Sequence, residues 1–438
     1  MKVLVVEKNP DGALDLAMRA AANGHDVRYC LGTYHPQKSP VGHGLVEREA
    51  DFMRGARWAD LIIAGGSDYF LPHMDRLRAE GKLVVGSCVE ACLWETDRAT
   101  GMGVFRAAGI PVAPYRTFHD YDQAIAYVKR QGTPFASKPS GHCDDKALSY
   151  VANSASDLIY MMERWKRNGK RQGLEFILQE KISGVEFAVG AWFGPGGFVE
   201  EWEENFEHKK LMPGNLGPNT GEMGTVSRWT GKSKLADKVL KPLARFLDRA
   251  RFVGCVDVSV IIDEEGTPWP LEFTTRGGWP ALNLECSAFD CDLVEFFAGL
   301  AQGKPPRRVH RLDEVVAGVV VAIPDFPYSH ATAKEVVGVP VYGLTDRLMQ
   351  HVHPAQMMAG EAPDDQGNKQ PSYVTAGDYV MVCTGSGESV RKARDAAYRV
   401  VRQIEIPSNP FYRNDIGDRC RRDIDELQRH GFALGLEY

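Results

Sequence analysis

CVDVSVIIDEEGTPWPLEFTTR, residues 255–276, decides how this chain is read. Its opening run is rich in Val and Ile, EEGT supplies Gly266 for a turn, and WPLEFT resumes the strand pattern. That spacing predicts a β-hairpin. Asp257 falls in the first predicted strand and Glu272 in the second. Pairing of the two strands would turn both carboxylates toward one space. A hard cation such as Mg2+ takes oxygen ligands, commonly one or two carboxylates plus substrate phosphates. Ordinary solvent-facing strand acids give the same pattern, so the rest of the chain must decide.

Upstream, KVLVVE is a short apolar run of the kind buried on both faces of a parallel sheet. Strands at HDVRYCL, ADLIIAGG and KLVVGS alternate with helical stretches, the signature of a doubly wound parallel sheet. Ligands of such sheets lie beyond the carboxyl ends of the strands. The first loop, EKNPDGA, holds only Gly12 and is no GxGxxG, which argues against a dinucleotide. IPVAPYRTF, with two prolines, reads as a linker. Residues 118 to 192 then form an α+β unit that presents Lys138, Lys146, Glu180 and Glu186. EENFEHKKLMPGNLGPNTGEMGTVSRW follows. Its glycines let backbone N–H groups approach an anion, and the stretch is expected to be a long loop. SKLADKVLKPLARFLDRARF reads as one amphipathic helix, RGGWPALNLECSAFD as a Gly-rich turn, and the segment beyond Lys304 as a C-terminal α+β domain.

The bulk numbers agree. At 438 residues, two to four domains are expected. The net charge of −6 argues against a nucleic-acid surface, and no apolar run is long enough to span a membrane. Nine scattered cysteines without a CxxC fit a reducing cytoplasm.

Parallel sheet, lysine-bearing lid, Gly-rich loop and acidic hairpin, in that order, resemble an ATP-grasp ligase. GPNTGEMG at 217–224 after EHKK at 207–210 resembles the Gly-Pro-Asn-Thr-Gly-Gly-Met-Gly loop of the phosphoribosylamine–glycine ligase (glycinamide ribonucleotide synthetase) family. LEFTTRGG at 271–278 and NDIGDR at 414–419 resemble two more of its motifs. The resemblance implies an ATP-grasp fold with an N-terminal Rossmann-like parallel-sheet domain over 1–105. A lid with its linker would cover 106–192, a catalytic core 193–312 and an α+β domain 313–438. It implies ATP and Mg2+. Lys138, Lys146 and Lys210 would neutralise phosphate. The Gln179, Glu180 and Ile182 hinge would read adenine, and Glu186 would hold ribose. Asp257, Glu272 and Thr274 would bind metal. Arg276, Lys209, Asn219, Thr220 and Gly221 would cradle the transferred phosphoryl group.

The chain also departs from that family. Thr274 stands where the family has Asn, and Trp279, Pro280 and Ala281 where it has Asp-Pro-Glu. Arg98 and Met102 replace two lysines. The Gly-rich sugar-phosphate loop after the first strand is replaced by Glu7, Lys8, Asn9, Pro10, Asp11 and Gly12, an acidic stretch suited to a cationic group. The expectation is therefore a ligase joining glycine or another amino acid to an amine other than phosphoribosylamine. The alternatives are the family reaction itself and a non-catalytic ATP-binding protein.

Overall fold

A computed structural model describes residues 1–8, 12–32, 39–66, 70–140, 149–169, 175–328, 333–407 and 409–438. Five parallel strands open the chain: β1 (Lys2–Glu7), β2 (Asp26–Leu31), β3 (Glu47–Arg48), β4 (Leu61–Ala64) and β5 (Leu83–Val85). They lie in the order β3-β2-β1-β4-β5. Val3 to Val6 are fully buried, as strands covered by helices on both faces require.

An antiparallel sheet follows, ordered β6-β9-β7-β8, from β6 (Tyr115–Phe118), β7 (Phe135–Pro139), β8 (Tyr150–Val151) and β9 (Phe176–Glu180). Helices Tyr121–Gln131 and Ala155–Arg167 pack on it around Phe118, Leu158, Met162 and Phe176. This antiparallel unit lies within the span where the lid is expected.

The largest sheet is built from β10 (Val185–Gly194), β11 (Gly197–Phe198), β12 (Trp202–Glu207), β15 (Gly224–Thr230), β16 (Gly254–Ile262), β17 (Pro268–Thr274), β18 (Val315–Ala322), β20 (Val352–Pro354) and β23 (Tyr379–Gly387). Between them lie β13 (Lys210–Met212) and β14 (Leu216–Asn219), which form a separate hairpin. A three-stranded sheet holds β19 (Val337–Val341), β21 (Met357–Pro363) and β22 (Lys369–Ala376). The main order is β17-β16-β10-β12-β15-β18-β23-β20, so residues from 315 onward extend the same sheet. The expected α/β and α+β multidomain architecture is present.

Side-chain alternation gives this sheet two unlike faces. Val256, Val258, Val260, Val189, Phe187 and Phe206 enter the main core on one face. On the other, Asp257 pairs with Thr274 and with Gly190, and Ser259 with Glu272 and with Ala188. Ala188 and Gly190 pair with Asn205 and Glu203. Glu186, Glu203, Asn205, Glu207, Asp257 and Glu272 thus share one polar surface.

Three expectations need correction. The long loop is instead strand β12 followed by the β13–β14 hairpin, because Thr220 N–H donates to Lys209 O at 2.8 Å and Met223 N–H to His208 O at 2.9 Å. The Gly-rich turn after Arg276 contains the helix Ala281–Ala288. The single helix before the hairpin is a succession of π, 3-10 and α turns, Ala236–Leu240, Lys241–Leu243 and Ala244–Arg249, since Pro242 lacks the N–H that continues an α ladder.

Candidate active site

Residues 255–276 form the expected hairpin, turning at Gly266, whose φ of +77° favours glycine. The register shifts between Ser259 and Val260, so Leu271 is an extra residue on β17. A bulge leaves such a residue outside the ladder. Its carbonyl accepts from Lys138 Nζ at 3.2 Å, and Gln179 Oε1 accepts from the same ammonium at 3.0 Å. The lid lysine therefore reaches across to the core strand. Burial, and then Arg98, push Lys138 down to about 8.

Glu272 is the electrostatic centre. Arg98 pairs with one of its oxygens, and Lys209 Nζ lies 3.4 Å from the other. Burial opposes its charge, but Arg98, Lys209 and Lys138 outweigh it and hold the carboxyl well below the ordinary range. Lys209 also meets Glu207 at 2.8 Å and Glu186 at 3.1 Å. Those three acids overcome burial and keep its ammonium protonated far above the usual range. Asp257 lies one pleat along the face. Burial, then Glu207 and Glu203, push its carboxyl well up. Thr274 sits directly opposite Asp257.

The hairpin carries Lys210, whose Nζ donates to Gly217 O at 3.3 Å, and Asn219, whose Nδ2 donates to Ser149 O on the lid side at 3.4 Å. Thr220 Oγ1 donates to Lys209 O, and Gly221 occupies the bend that follows. Glu180 ends β9 exposed, with Ile182 in the connection to β10. Arg276 stands apart from Glu272: its Nε donates to Glu95 at 3.3 Å. It lines a crevice with Gly65, Gly86, Trp192 and Cys255, at the carboxyl ends of β4 and β5. Lys146 and Asp11 lie outside the described residues. Glu7 is buried, accepting from Tyr29 and from Ala13 N–H, so it caps the first helix rather than facing the crevice.

Sequence reasoning did not assign Arg98, Glu203, Asn205, Glu207 or Arg419. The alternation Glu203, Asn205, Glu207 was a visible strand signal. Arg419 closes the NDIGDR motif, but its partners were not legible there: from the far end of the chain its guanidinium donates to Glu186 O at 3.1 Å and Glu207 O at 3.2 Å.

Among the described residues no three His, Cys, Asp or Glu side chains form a closed metal cage. Mg2+ usually takes one or two carboxylates and completes its shell with water and phosphate oxygens. Glu272, ionised and next to cations that a polyphosphate would attract, fits such an ion.

Two family models match. The ATP-grasp (A) domain of phosphoribosylglycinamide synthetase covers residues 98–281, and the C domain of the same family covers 316–419. Lid, polar sheet face and hairpin are those of an ATP-grasp enzyme, and the chain is an ADP-forming carbon–nitrogen ligase of that class, using ATP and Mg2+. Within the class it is glycinamide ribonucleotide synthetase-like. A phosphoribosylamine–glycine ligase of Ralstonia nicotianae is 28% identical over 361 residues, 80% of this chain and 81% of its own. One from Salmonella typhimurium is 26% identical, covering 82% and 83%. The crystal structure of phosphoribosylamine–glycine ligase from Thermotoga maritima superposes with a TM-score of 0.73 at 18% identity, covering 95% of this chain and all of that one.

Proposed function

We propose that the chain activates the carboxylate of glycine with ATP and couples it to phosphoribosylamine, the reaction named for its relatives. The match over about four-fifths of both chains carries this reading. The glycine carboxylate attacks the γ-phosphorus, giving an acyl phosphate and ADP. The amine then attacks the acyl carbon, phosphate leaves with the bonding pair, and an amide remains. Such transfer is mostly positioning and charge screening.

In this scheme Lys138, Lys209, Lys210 and Arg98 screen the polyphosphate. Gln179, Glu180 and Ile182 border adenine, and Glu186 accepts from ribose hydroxyls. Glu272, with Thr274 beside it, would hold Mg2+, which draws charge off the phosphates. Asn219, Thr220 and Gly221 offer donors to the transferred group, and Arg276 faces the acceptor crevice. Free thiols at all eight described cysteines support a reducing compartment such as the cytoplasm.

A second reading keeps the glycine half and changes the amine. It is favoured by Trp279, whose indole follows Arg276 where the family carries an acid. One experiment separates the two. The protein is incubated with ATP, Mg2+ and glycine, with either hydroxylamine or phosphoribosylamine as acceptor. Amide product and ADP with phosphoribosylamine support the first reading. Hydroxamate without that product supports the second. Glu272→Gln should lower ADP release at least about 100-fold, as loss of a group stabilising transition-state charge does; unchanged release would remove Glu272 from the chemistry.

A further inference from the structure

Three side chains on the polar face converge where the scheme above leaves them without a task. Gly190 lies between Asp257 on β16 and Glu203 on β12. A Cβ at residue 190 would sit 3.2 Å from Asp257 Oδ2 and 3.4 Å from Glu203 Oε2. The absent side chain lets two carboxyl groups lean over the same stretch of backbone, no farther apart than those two distances combined. Asn205 joins them. Its Nδ2 donates to Asp257 at 3.1 Å, and its buried Oδ1 accepts from no described residue. Among the described residues neither Asp257 nor Glu203 has a cation within ion-pair distance, because Lys209 is turned to Glu186, Glu207 and Glu272.

Glu203 Oε1 accepts from Ser227 Oγ at 2.7 Å, which leaves Glu203 Oε2 beside the unpartnered Asn205 Oδ1, and buried acceptors call for a donor. A primary ammonium brings three N–H donors and a positive charge. Position favours it too. Glu272, opposite Ser259, lies one pleat to one side, roughly 7 Å along the strands. Cys255 and Trp192, on the wall of the crevice that Arg276 lines, lie one pleat to the other side. An amino acid whose carboxylate meets ATP beside Glu272 carries its ammonium into the gap between.

We propose that Asp257, Glu203 and Asn205 form the subsite for the ammonium group of the amino acid whose carboxylate is activated, with Gly190 clearing the space. The proposal rests on the ligase reading. It makes the protein discriminate glycine from acetate, which has the same carboxylate and no amino group.

The test is calorimetric titration of the full-length protein, loaded with Mg2+ and a non-hydrolysable ATP analogue, with glycine and with acetate. Glycine should bind at least tenfold more tightly than acetate. Asp257→Asn and Glu203→Gln, both isosteric, should each lower glycine affinity at least tenfold and leave acetate and the ATP analogue within twofold. Wild-type affinity for glycine in both variants, or equal affinity of the wild type for glycine and acetate, overturns the proposal. So does Asp257→Asn losing Mg2+–nucleotide affinity while keeping its preference for glycine, which would make Asp257 a metal ligand. Hydroxylamine trapping judges the ligase reading separately: no hydroxamate with any amino acid sinks that reading, while the titration still decides whether the subsite exists.

Discussion

Replacing Lys209 with methionine tests the electrostatic centre most directly. The ammonium is 2.8 Å from Glu207, 3.1 Å from Glu186 and 3.4 Å from Glu272, with 30% of its side chain exposed. Its removal leaves three carboxylates facing one another, with Arg98 still paired to Glu272. Removing one partner of a buried ion pair costs about 3–5 kcal/mol, and partial exposure puts this case near 3 kcal/mol. The loss must depend on pH. Lys209 helps hold Glu186 and Glu272 below the ordinary value of 4.5. That stabilisation is fully present above the ordinary value and disappears as pH falls through the lowered ones. The gap between wild type and Lys209→Met is therefore widest near pH 7 and shrinks on acidification below about 4.5. Urea unfolding followed by tryptophan fluorescence measures it, since Trp192, Trp202 and Trp229 lie in the central sheet. A charge-assisted contact to phosphate is worth about 1.5–3 kcal/mol, so Mg2+–ADP affinity should fall roughly 10- to 100-fold. Lys209→Arg should retain most of both. An unchanged urea midpoint at pH 7, or a gap that widens toward pH 4, would refute the reasoning.

Three further outcomes follow from the same geometry. Lys138, with its ammonium held near 8, is largely neutral at pH 9 in the free protein; phosphate should reprotonate it, so calorimetry in buffers of different ionisation enthalpy should show uptake of close to one proton on nucleotide binding, absent in Lys138→Arg. Glu222 is buried and pushed well up, first by burial and then by Glu207. The folded protein thus keeps a proton that the unfolded chain loses near 4.5, at a cost that grows with pH. Glu222→Gln should therefore gain melting temperature relative to wild type as pH rises from 5 to 8, and a constant difference would contradict that. Arg419→Ala removes two bonds to strand carbonyls and should cost about 1–3 kcal/mol; thermal melting and faster proteolysis within 210–219 are the readouts, and an unchanged protease rate there would argue against a clamp.

The hairpin at 255–276 was legible because period-two apolar spacing and one turn glycine specify a strand pair almost by themselves. That spacing, run on without a break, would set Glu272 opposite Val258 on the core face, and only the bulge at Leu271 brings it opposite Ser259 and onto the face of Asp257. The spacing carried no information about their neighbours. Glu272 meets Arg98 from a helix 174 residues earlier, and Glu186 is backed by Arg419, 233 residues later. Such pairings depend on strand order, which one strand's pattern does not encode. The 207–224 stretch shows the opposite error. Its glycines and prolines suggest an open loop, yet β13 and β14 pair, because glycines that permit a loop also permit a tight hairpin.

The fate of that hairpin also explains why a C-terminal motif belongs to an active site formed in the middle of the chain. Arg413, almost wholly buried, donates to Lys210 O at 3.0 Å and to Asn215 at 3.1 Å, while Asp415 accepts from Gly214 N–H at 2.9 Å. Gly417 N–H donates to His208 Nε2 at 3.1 Å. That bond needs a neutral ring, and burial, then Arg419 and Arg413, keep it neutral by pushing His208 down to about 3. The segment 413–419 therefore fixes both ends of the hairpin and the strand that delivers Lys209. A loop built on glycines has little stiffness of its own, since glycine loses more backbone freedom on ordering than any other residue. Here that ordering is supplied by a buried arginine and a neutral histidine from outside the loop, which puts the precision of the site in the contact between two distant segments rather than in the glycine motif.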